Sequence, residues 1–237
     1  MNSQIHTIAL ANLSLVFIPV IAVIWIFYKW QLEFKNLIYA IIRMLVQLLL
    51  IGYFLAFIFK SDSAFVVAIV LAVMIGSSSW IALRTVKQRR ALLYRNALIS
   101  IAFGGGVSLI IVTQFVLDLS PWFKPSYAIP LAGMIFAGAM NSVSLAAERF
   151  NAETKRAVPY KRARATAFSA SLIPIMNALF AVGLVSIPGM MTGQILSGVA
   201  PLIAARYQIM VMLMILGSSG LASACFLVLS KSAFKKN

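Results

Sequence analysis

The chain has 237 residues, of which 62% are hydrophobic and only 11% are charged, whereas a soluble domain of this length carries roughly 25% charged residues. The mean hydropathy is +0.98. One soluble core cannot hide that much apolar surface, so the composition excludes a soluble globular protein. It predicts an all-α polytopic membrane protein, with residues 1–237 forming a single transmembrane domain.

The net charge of +15 indicates membrane topology rather than nucleic-acid binding, because the basic residues lie between long uncharged runs. Cys225 is the only cysteine, which excludes an intrachain disulfide and a cysteine metal cluster. The sequence holds no nucleophile–base–acid set, no paired carboxylates within a span and no phosphate-binding loop. We therefore expect no enzyme activity and no cofactor in this chain.

Apolar runs long enough to cross about 30 Å of hydrocarbon predict seven transmembrane helices. In chain order they cover residues 8–28, 37–59, 65–83, 96–115, 127–147, 167–187 and 207–229. Alternate loops and the C-terminal tail hold 16 of the 20 Lys and Arg residues. By the positive-inside rule that side is cytoplasmic, so the N-terminus is expected outside and the C-terminus inside.

The stretch SIPGMMTGQILSG, residues 186–198, interrupts the apolar pattern between the last two spans. Pro188 and three glycines disfavour a continuous helix and would leave backbone groups unpaired. At membrane depth such groups are tolerated only inside protein or along a water-filled cavity. The stretch is therefore either an ordinary exterior loop or a re-entrant segment that lines a path.

Several polar residues also fall within the spans. Arg43 and Gln47 share one helical face, where Arg43 either faces the bundle interior or extends to the cytoplasmic interface. Asn141 stacks with Ser144 and Glu148 along a small-residue surface, while Gln208 beside Tyr207 either anchors the last span or joins the cavity of Gln194. The predicted substrate pathway comprises Arg43, Gln47, Asn141, Pro188, Gly189, Met190, Met191, Thr192, Gly193, Gln194, Tyr207 and Gln208.

Residues 148–166 form a strongly basic loop, predicted to be cytoplasmic and amphipathic enough to lie on the membrane surface. The loop either only fixes topology or docks a cytoplasmic partner. Met190 and Met191 are weak candidates for metal ligands, because thioethers suit soft metals whereas iron commonly prefers nitrogen and oxygen.

Three stretches carry a resemblance to a known family. VGLVSIPGMMTGQILSGVAPLIAARYQIMVM, RMLVQLLLIGYFLAFIF and IPLAGMIFAGAMNSVSLAAERF resemble the Fet-type iron-export ABC permeases, which include the plant aluminium-sensitivity permease. The resemblance covers the second, fifth, sixth and seventh predicted spans. It implies the membrane half of an ATP-driven exporter in the bacterial inner membrane, with iron or another metal ion as the expected substrate.

The same resemblance implies partners. ATP would be hydrolysed by a separate soluble ATPase, and two permeases would assemble with two ATPases. The family usually carries an Ala-Leu-Gly-Ala-like step before the sixth span, which this chain lacks. Either ATPase docking rests on Glu148, Arg149, Glu153, Arg156, Lys161 and Arg162, or coupling in this protein is altered. The alternatives are a secondary transporter or channel that works alone, and a membrane scaffold that transports nothing.

Overall fold

The computed structural model describes residues 9–59 and 63–235. Within that part of the chain the regular structure is helical and no strand occurs. The helices are α1 (Leu10–Ser14), α2 (Phe17–Lys29), α3 (Phe34–Ile58), α4 (Ala64–Ala82), α5 (Arg90–Ile110), α6 (Pro125–Lys155), α7 (Tyr160–Ala181), α8 (Gly189–Leu196), α9 (Pro201–Leu229) and α10 (Lys231–Lys235). A 3₁₀ segment, Leu83–Arg89, joins α4 to α5, and a π-helical turn, Ile111–Val116, follows α5.

The all-α prediction is confirmed for the described residues, and each predicted span coincides with a helix over most of its length. Five stretches are long and apolar enough to cross a membrane, and one of them, residues 64–116, contains both α4 and α5. The helix α7 is not among the five, because polar residues and a basic first turn dilute its apolar character. The count of seven spans and the orientation of the termini stay predictions, and the start of the first predicted span, residue 8, lies outside the described residues.

The chain divides into two compact units, residues 1–60 and 61–237. In the first unit α2 and α3 pack against each other through a tight turn, in which Gln31 adopts a left-handed backbone conformation with φ of 56°. None of the described side chains of these two helices is buried. Many of their described apolar side chains are exposed and the rest are half-buried, as expected of helices that meet lipid or another protein.

The second unit, which we call the bundle, is built around α9. This helix packs against α5, α6 and α7, and the core side chains include Phe136, Phe150 and Phe226. Small residues allow the close approach of the helices. A Cβ atom on Gly104 of α5 would lie 2.6 Å from the backbone nitrogen of Ala222 of α9, so only glycine fits at this crossing.

Residues 148–166 do not form a separate loop helix. They comprise the last two turns of α6, a break at residues 156–159 and the first turns of α7. The helix α6 ends because Ala157 takes a left-handed conformation with φ of 55° and the N–H of Val158 donates to the carbonyl of Glu153. Pro159 then starts α7 with an extended backbone.

Hydrogen bonds bring three basic segments to one end of the bundle. The Arg89 guanidinium donates to the Ala233 carbonyl at 3.0 Å, and the Tyr160 hydroxyl donates to the Leu227 carbonyl at 3.2 Å. The 3₁₀ segment, the α6–α7 junction and the start of α10 are thereby neighbours. The prediction that alternate loops share one side agrees with this arrangement.

Candidate functional site

The short helix α8 occupies most of the stretch that interrupts the apolar pattern. Pro188 precedes it with an extended backbone, and it ends where Gly198 adopts φ of 90°. The N–H groups of Gly198 and Val199 donate to the carbonyls of Ile195 and Gln194, both at 3.0 Å, so the last turn keeps its hydrogen bonds. Whether α8 re-enters the membrane stays a prediction.

Met190 and Met191 lie on different sides of α8, because neighbouring residues on a helix point about 100° apart. Met190 lines a cavity of about 620 Å³ between α6, α8 and α9, here called the methionine cavity. Met191 lines a second cavity of about 400 Å³ between α7, α8 and α9, here called the α7–α9 cavity. The two sulfur atoms therefore face separate spaces.

The methionine cavity is mostly apolar with a few polar groups. Its lining includes the side chains of Met134, Met190, Gln194, Tyr207, Met210 and Ser126. The Oε1 atom of Gln194 is buried and has no hydrogen-bond partner among residues 9–59 and 63–235. Pro130 also lines the cavity and has no N–H, so the carbonyl of Ser126, one turn earlier, loses its usual helical donor.

The α7–α9 cavity has a similar composition. Its lining includes Ser186, Pro188, Met191, Gln208 and Met212. Gln208 is 5% exposed, and its Oε1 atom also has no hydrogen-bond partner. Leaving a buried amide oxygen unpaired costs about 1–3 kcal/mol, so each glutamine side chain keeps its position at a cost in free energy.

The remaining predicted pathway residues lie elsewhere. Asn141 is exposed and borders a small cavity of about 200 Å³ with Ser142, Ser171 and Ser219. Thr192 is exposed, and its hydroxyl donates to the Pro188 carbonyl at 3.1 Å. Gly189 and Gly193 are exposed on α8, with open space where a Cβ atom would stand. Arg43 and Gln47 are exposed on α3, in the other unit of the chain.

Sequence reasoning missed Met134 and Met210 as neighbours of Met190. They lie 56 and 20 residues from it, so no local spacing connects the three. Pro130 inside a predicted span was the one available signal, since a proline at membrane depth often marks a cavity. No carboxylate of the described part of the chain lines either large cavity. Across residues 9–59 and 63–235, no group of three or more His, Cys, Asp or Glu side chains is placed to hold a metal ion.

The predicted docking residues are not equivalent in the structure. Glu153 is buried and forms a salt bridge of 2.6 Å with Arg149, so its carboxylate is engaged within α6. Glu148, Arg156, Lys161 and Arg162 are exposed. Beside them lies a polar cavity of about 320 Å³ that the sequence did not predict, lined by Arg84, Thr85, Lys87, Arg89, Asn151 and Lys155.

This basic cavity stands well away from the apolar part of α6. The 31 residues of α6 extend for about 46 Å, whereas the hydrocarbon core is about 30 Å thick. Lys124, Tyr127 and Trp122 cluster at its start, as interfacial residues do. Lys155, at the opposite end, therefore reaches beyond the hydrocarbon. The basic end of the bundle is available to a partner in the aqueous phase.

The chain is similar to several membrane proteins along most of its length. It is 32% identical to the Probable iron export permease protein FetB of Escherichia coli, over 98% of this chain and 94% of that protein. It is 37% identical to the UPF0014 membrane protein slr1647 of Synechocystis, over 76% of each. Protein ALUMINUM SENSITIVE 3 of Arabidopsis thaliana is 29% identical over 79% of this chain and 73% of its own length.

No solved structure matches the chain. Residues 9–234 match the family described as uncharacterised protein family UPF0014, which covers α1 to α9 and nearly all of α10. The apolar helices and the membrane proteins among the relatives confirm that the chain is a membrane protein. This integral membrane protein therefore belongs to the UPF0014 family, and the resemblance to the iron-export permeases is confirmed at the level of the family.

Proposed function

We propose that the chain is the permease subunit of an ATP-binding-cassette exporter in a bacterial inner membrane. The observation that carries the proposal is the pair of glutamines Gln194 and Gln208, each of which lines one of two cavities bordered by α8 and has a buried Oε1 atom with no hydrogen-bond partner among the described residues. A membrane protein that only packs its helices gains nothing from unpaired amide oxygens. A transporter gains a polar contact for its substrate on each side of a movable element.

The element proposed to move is α8. Pro188 precedes it, Gly189 is its first residue and Gly198 follows it. Both of its ends therefore hold residues with special backbone preferences. Tilting of α8 would enlarge one cavity and reduce the other. This coupling gives alternating access, in which the substrate passes from one glutamine to the next.

Energy for that movement is proposed to come from a separate soluble ATPase, which would hold the ATP. The basic end of the bundle is its proposed docking surface, formed by Arg84, Lys87 and Lys155 together with Glu148, Arg149, Arg156, Lys161 and Arg162. These side chains would attract an acidic surface on the ATPase. Glu153 would act indirectly, because its salt bridge holds Arg149 in place. We further propose that two permeases assemble with two ATPases.

The proposal is tested by ATP-dependent uptake into inverted vesicles that contain the permease and its ATPase. Iron and other metal ions are offered as substrates. We expect Gln194→Leu and Gln208→Leu to lose most of the flux, since leucine has nearly the volume of glutamine but cannot bind the substrate. Thr192→Val is the matched control on α8, because that hydroxyl is already bonded within the helix.

The two alternative functions predict different results in the same vesicle assay. Flux without the ATPase would contradict the exporter and support a transporter or channel that works alone. Equal flux in the wild type, the glutamine variants and empty vesicles would support a scaffold. The absence of carboxylates from both large cavities disfavours proton coupling for a transporter that works alone.

A further inference from the structure

Three methionines from three different helices line the methionine cavity. Met134 lies on α6, Met190 on α8 and Met210 on α9. All three are partly buried and packed against the core of the bundle, so their side chains are held rather than free in solvent. Because these three methionines are far apart in the sequence, only the folded chain brings them to one cavity. It exists only while α8 lies between α6 and α9.

The polar groups that accompany these sulfur atoms are electron donors. They belong to Gln194, Ser126 and Tyr207, which line the cavity, and Pro130 removes the usual helical donor of the Ser126 carbonyl. Among the residues that the structure describes, no Lys, Arg, Asp or Glu side chain lines the cavity. The site is therefore rich in lone pairs and carries no formal charge.

This chemistry favours one class of ion. A hydrated divalent ion such as Mg²⁺ needs carboxylates to replace its water and balance its charge, and Fe²⁺ commonly takes nitrogen and oxygen ligands. A soft monovalent ion such as Cu⁺ binds thioethers well. It also carries a single charge, so a neutral site inside a membrane protein leaves less charge unbalanced.

We propose that the methionine cavity binds a soft monovalent metal cation through the sulfur atoms of Met134, Met190 and Met210, with Gln194 supplying an oxygen ligand. This inference rests on the proposed transport function and names its substrate class. It differs from the iron in the name of the Escherichia coli relative. The neighbouring Met191 has no part in the site, because it faces the α7–α9 cavity.

Silver is a suitable probe, because Ag⁺ is a soft monovalent ion that needs no reductant. The full chain is purified in detergent with Cys225→Ser, which removes the only thiol. Bound Ag⁺ is measured by equilibrium dialysis and elemental analysis, in the presence of excess Mg²⁺ and Zn²⁺, which do not reduce silver. We expect one tightly bound Ag⁺ per chain, and X-ray absorption at the silver edge should show sulfur neighbours.

Replacing each thioether with leucine keeps the apolar volume and removes the ligand. We expect Met190→Leu and Met210→Leu each to weaken Ag⁺ binding by about tenfold or more. Met191→Leu, one residue away, and Met176→Leu, on the exposed surface of α7, should bind Ag⁺ as the Cys225→Ser protein does. The melting temperature of each variant in detergent identifies any that fail to fold, and X-ray absorption on the folded ones counts the lost sulfur ligand.

Equal Ag⁺ affinity in folded Met190→Leu and Met191→Leu proteins would overturn the site. Displacement of Ag⁺ by equimolar Zn²⁺, a divalent ion that does not reduce silver, would overturn the substrate class. Neither of these two outcomes would contradict the proposed transport function. Intact Ag⁺ binding without any ATP-dependent flux would contradict only the exporter, whereas ATP-dependent Fe²⁺ flux that Met190→Leu leaves unchanged would contradict only the soft-metal site.

Discussion

The helices α2 and α3, here called the hairpin, are about as apolar as the helices of the bundle, but the two regions bury their apolar residues to different extents. The most apolar stretches of α2 and α3 have no buried residue, whereas those of α6 and α9 are 50% and 44% buried. Composition distinguishes them. The hairpin helices hold Gly52 as their one glycine and have no serine, while α4, α5, α6 and α9 hold repeated Gly, Ser and Ala residues.

The contrast teaches that apolar content predicts membrane insertion, while small residues predict packing between helices. Within a membrane the hydrophobic effect no longer drives one helix onto another, so close approach and dispersion decide which helices associate. The buried serines of the bundle do not contradict this. Ser223, for example, donates to the Ser219 carbonyl at 2.7 Å and carries its hydrogen bond within its own helix.

The largest expected effect compares two leucines. Leu93 of α5 is 0% exposed, while Leu49 of α3 is 79% exposed. Leu93→Ala should lower the free energy of unfolding by about 2–5 kcal/mol, because it leaves a cavity in a tightly packed core. Leu49→Ala should change it by less than about 0.5 kcal/mol. Reversible unfolding by SDS in mixed micelles measures both, and equal losses would show that protein covers the hairpin.

A second comparison uses glycines. Gly104→Ala should destabilise the bundle by about 1–3 kcal/mol, because its Cβ atom would press on the backbone of α9. Gly106→Ala, two residues away, and Gly52→Ala of α3 have open space around the added carbon. Both should be neutral or slightly stabilising, since alanine favours a helix. The contrast would fail if all three variants shifted the SDS midpoint equally.

A third comparison concerns buried amides. Gln208→Leu should raise the free energy of unfolding by about 1 kcal/mol, because it removes an unpaired buried oxygen, while it loses most of the flux. Gln47→Leu on α3 should leave stability nearly unchanged, since Gln47 is exposed. A destabilised Gln208→Leu protein would mean that the amide has a structural role, and the argument for a substrate contact there would be lost.

The positions of the helices could largely be predicted from the sequence, because an apolar run must be about 20 residues long to cross the bilayer as a helix. Their ends were less predictable. The sixth predicted span continued to residue 187, but α7 ends at Ala181, before Gly183 with its φ of 83°. Apolar residues such as Val185 continue past that point, so hydropathy alone cannot locate the end of the helix.

The candidate site was predictable only in part. The stretch at residues 186–198 and Gln208 were found, because glycine, proline and glutamine are unusual in apolar surroundings. Their division between two cavities was not found, because it depends on how α8 is rotated between α6 and α7. The partners of Met190, which are Met134 and Met210, come from distant helices, and one sequence contains no signal that joins them.

The smallest expected effect compares two carboxylates. Glu153 is buried at the end of α6 and paired with Arg149, whereas Glu33 is exposed in the hairpin and accepts a hydrogen bond from Asn36. Glu153→Gln should lower the free energy of unfolding by less than about 1 kcal/mol, because Arg149 is partly exposed and solvent screens the pair. Glu33→Gln should have almost no effect.

The electrostatic part of the stability loss in Glu153→Gln should be smaller at high salt. Thermal unfolding in a detergent other than SDS, at two ionic strengths, measures it. ATPase activity adds a second readout. If Arg149 needs its partner to face the ATPase, Glu153→Gln should reduce permease-stimulated ATP hydrolysis more than it reduces stability, whereas Glu33→Gln should leave hydrolysis unchanged. Full stimulation of ATP hydrolysis by the Glu153→Gln protein would show that docking does not need the salt bridge between Arg149 and Glu153. The 3₁₀ segment would then be the main contact.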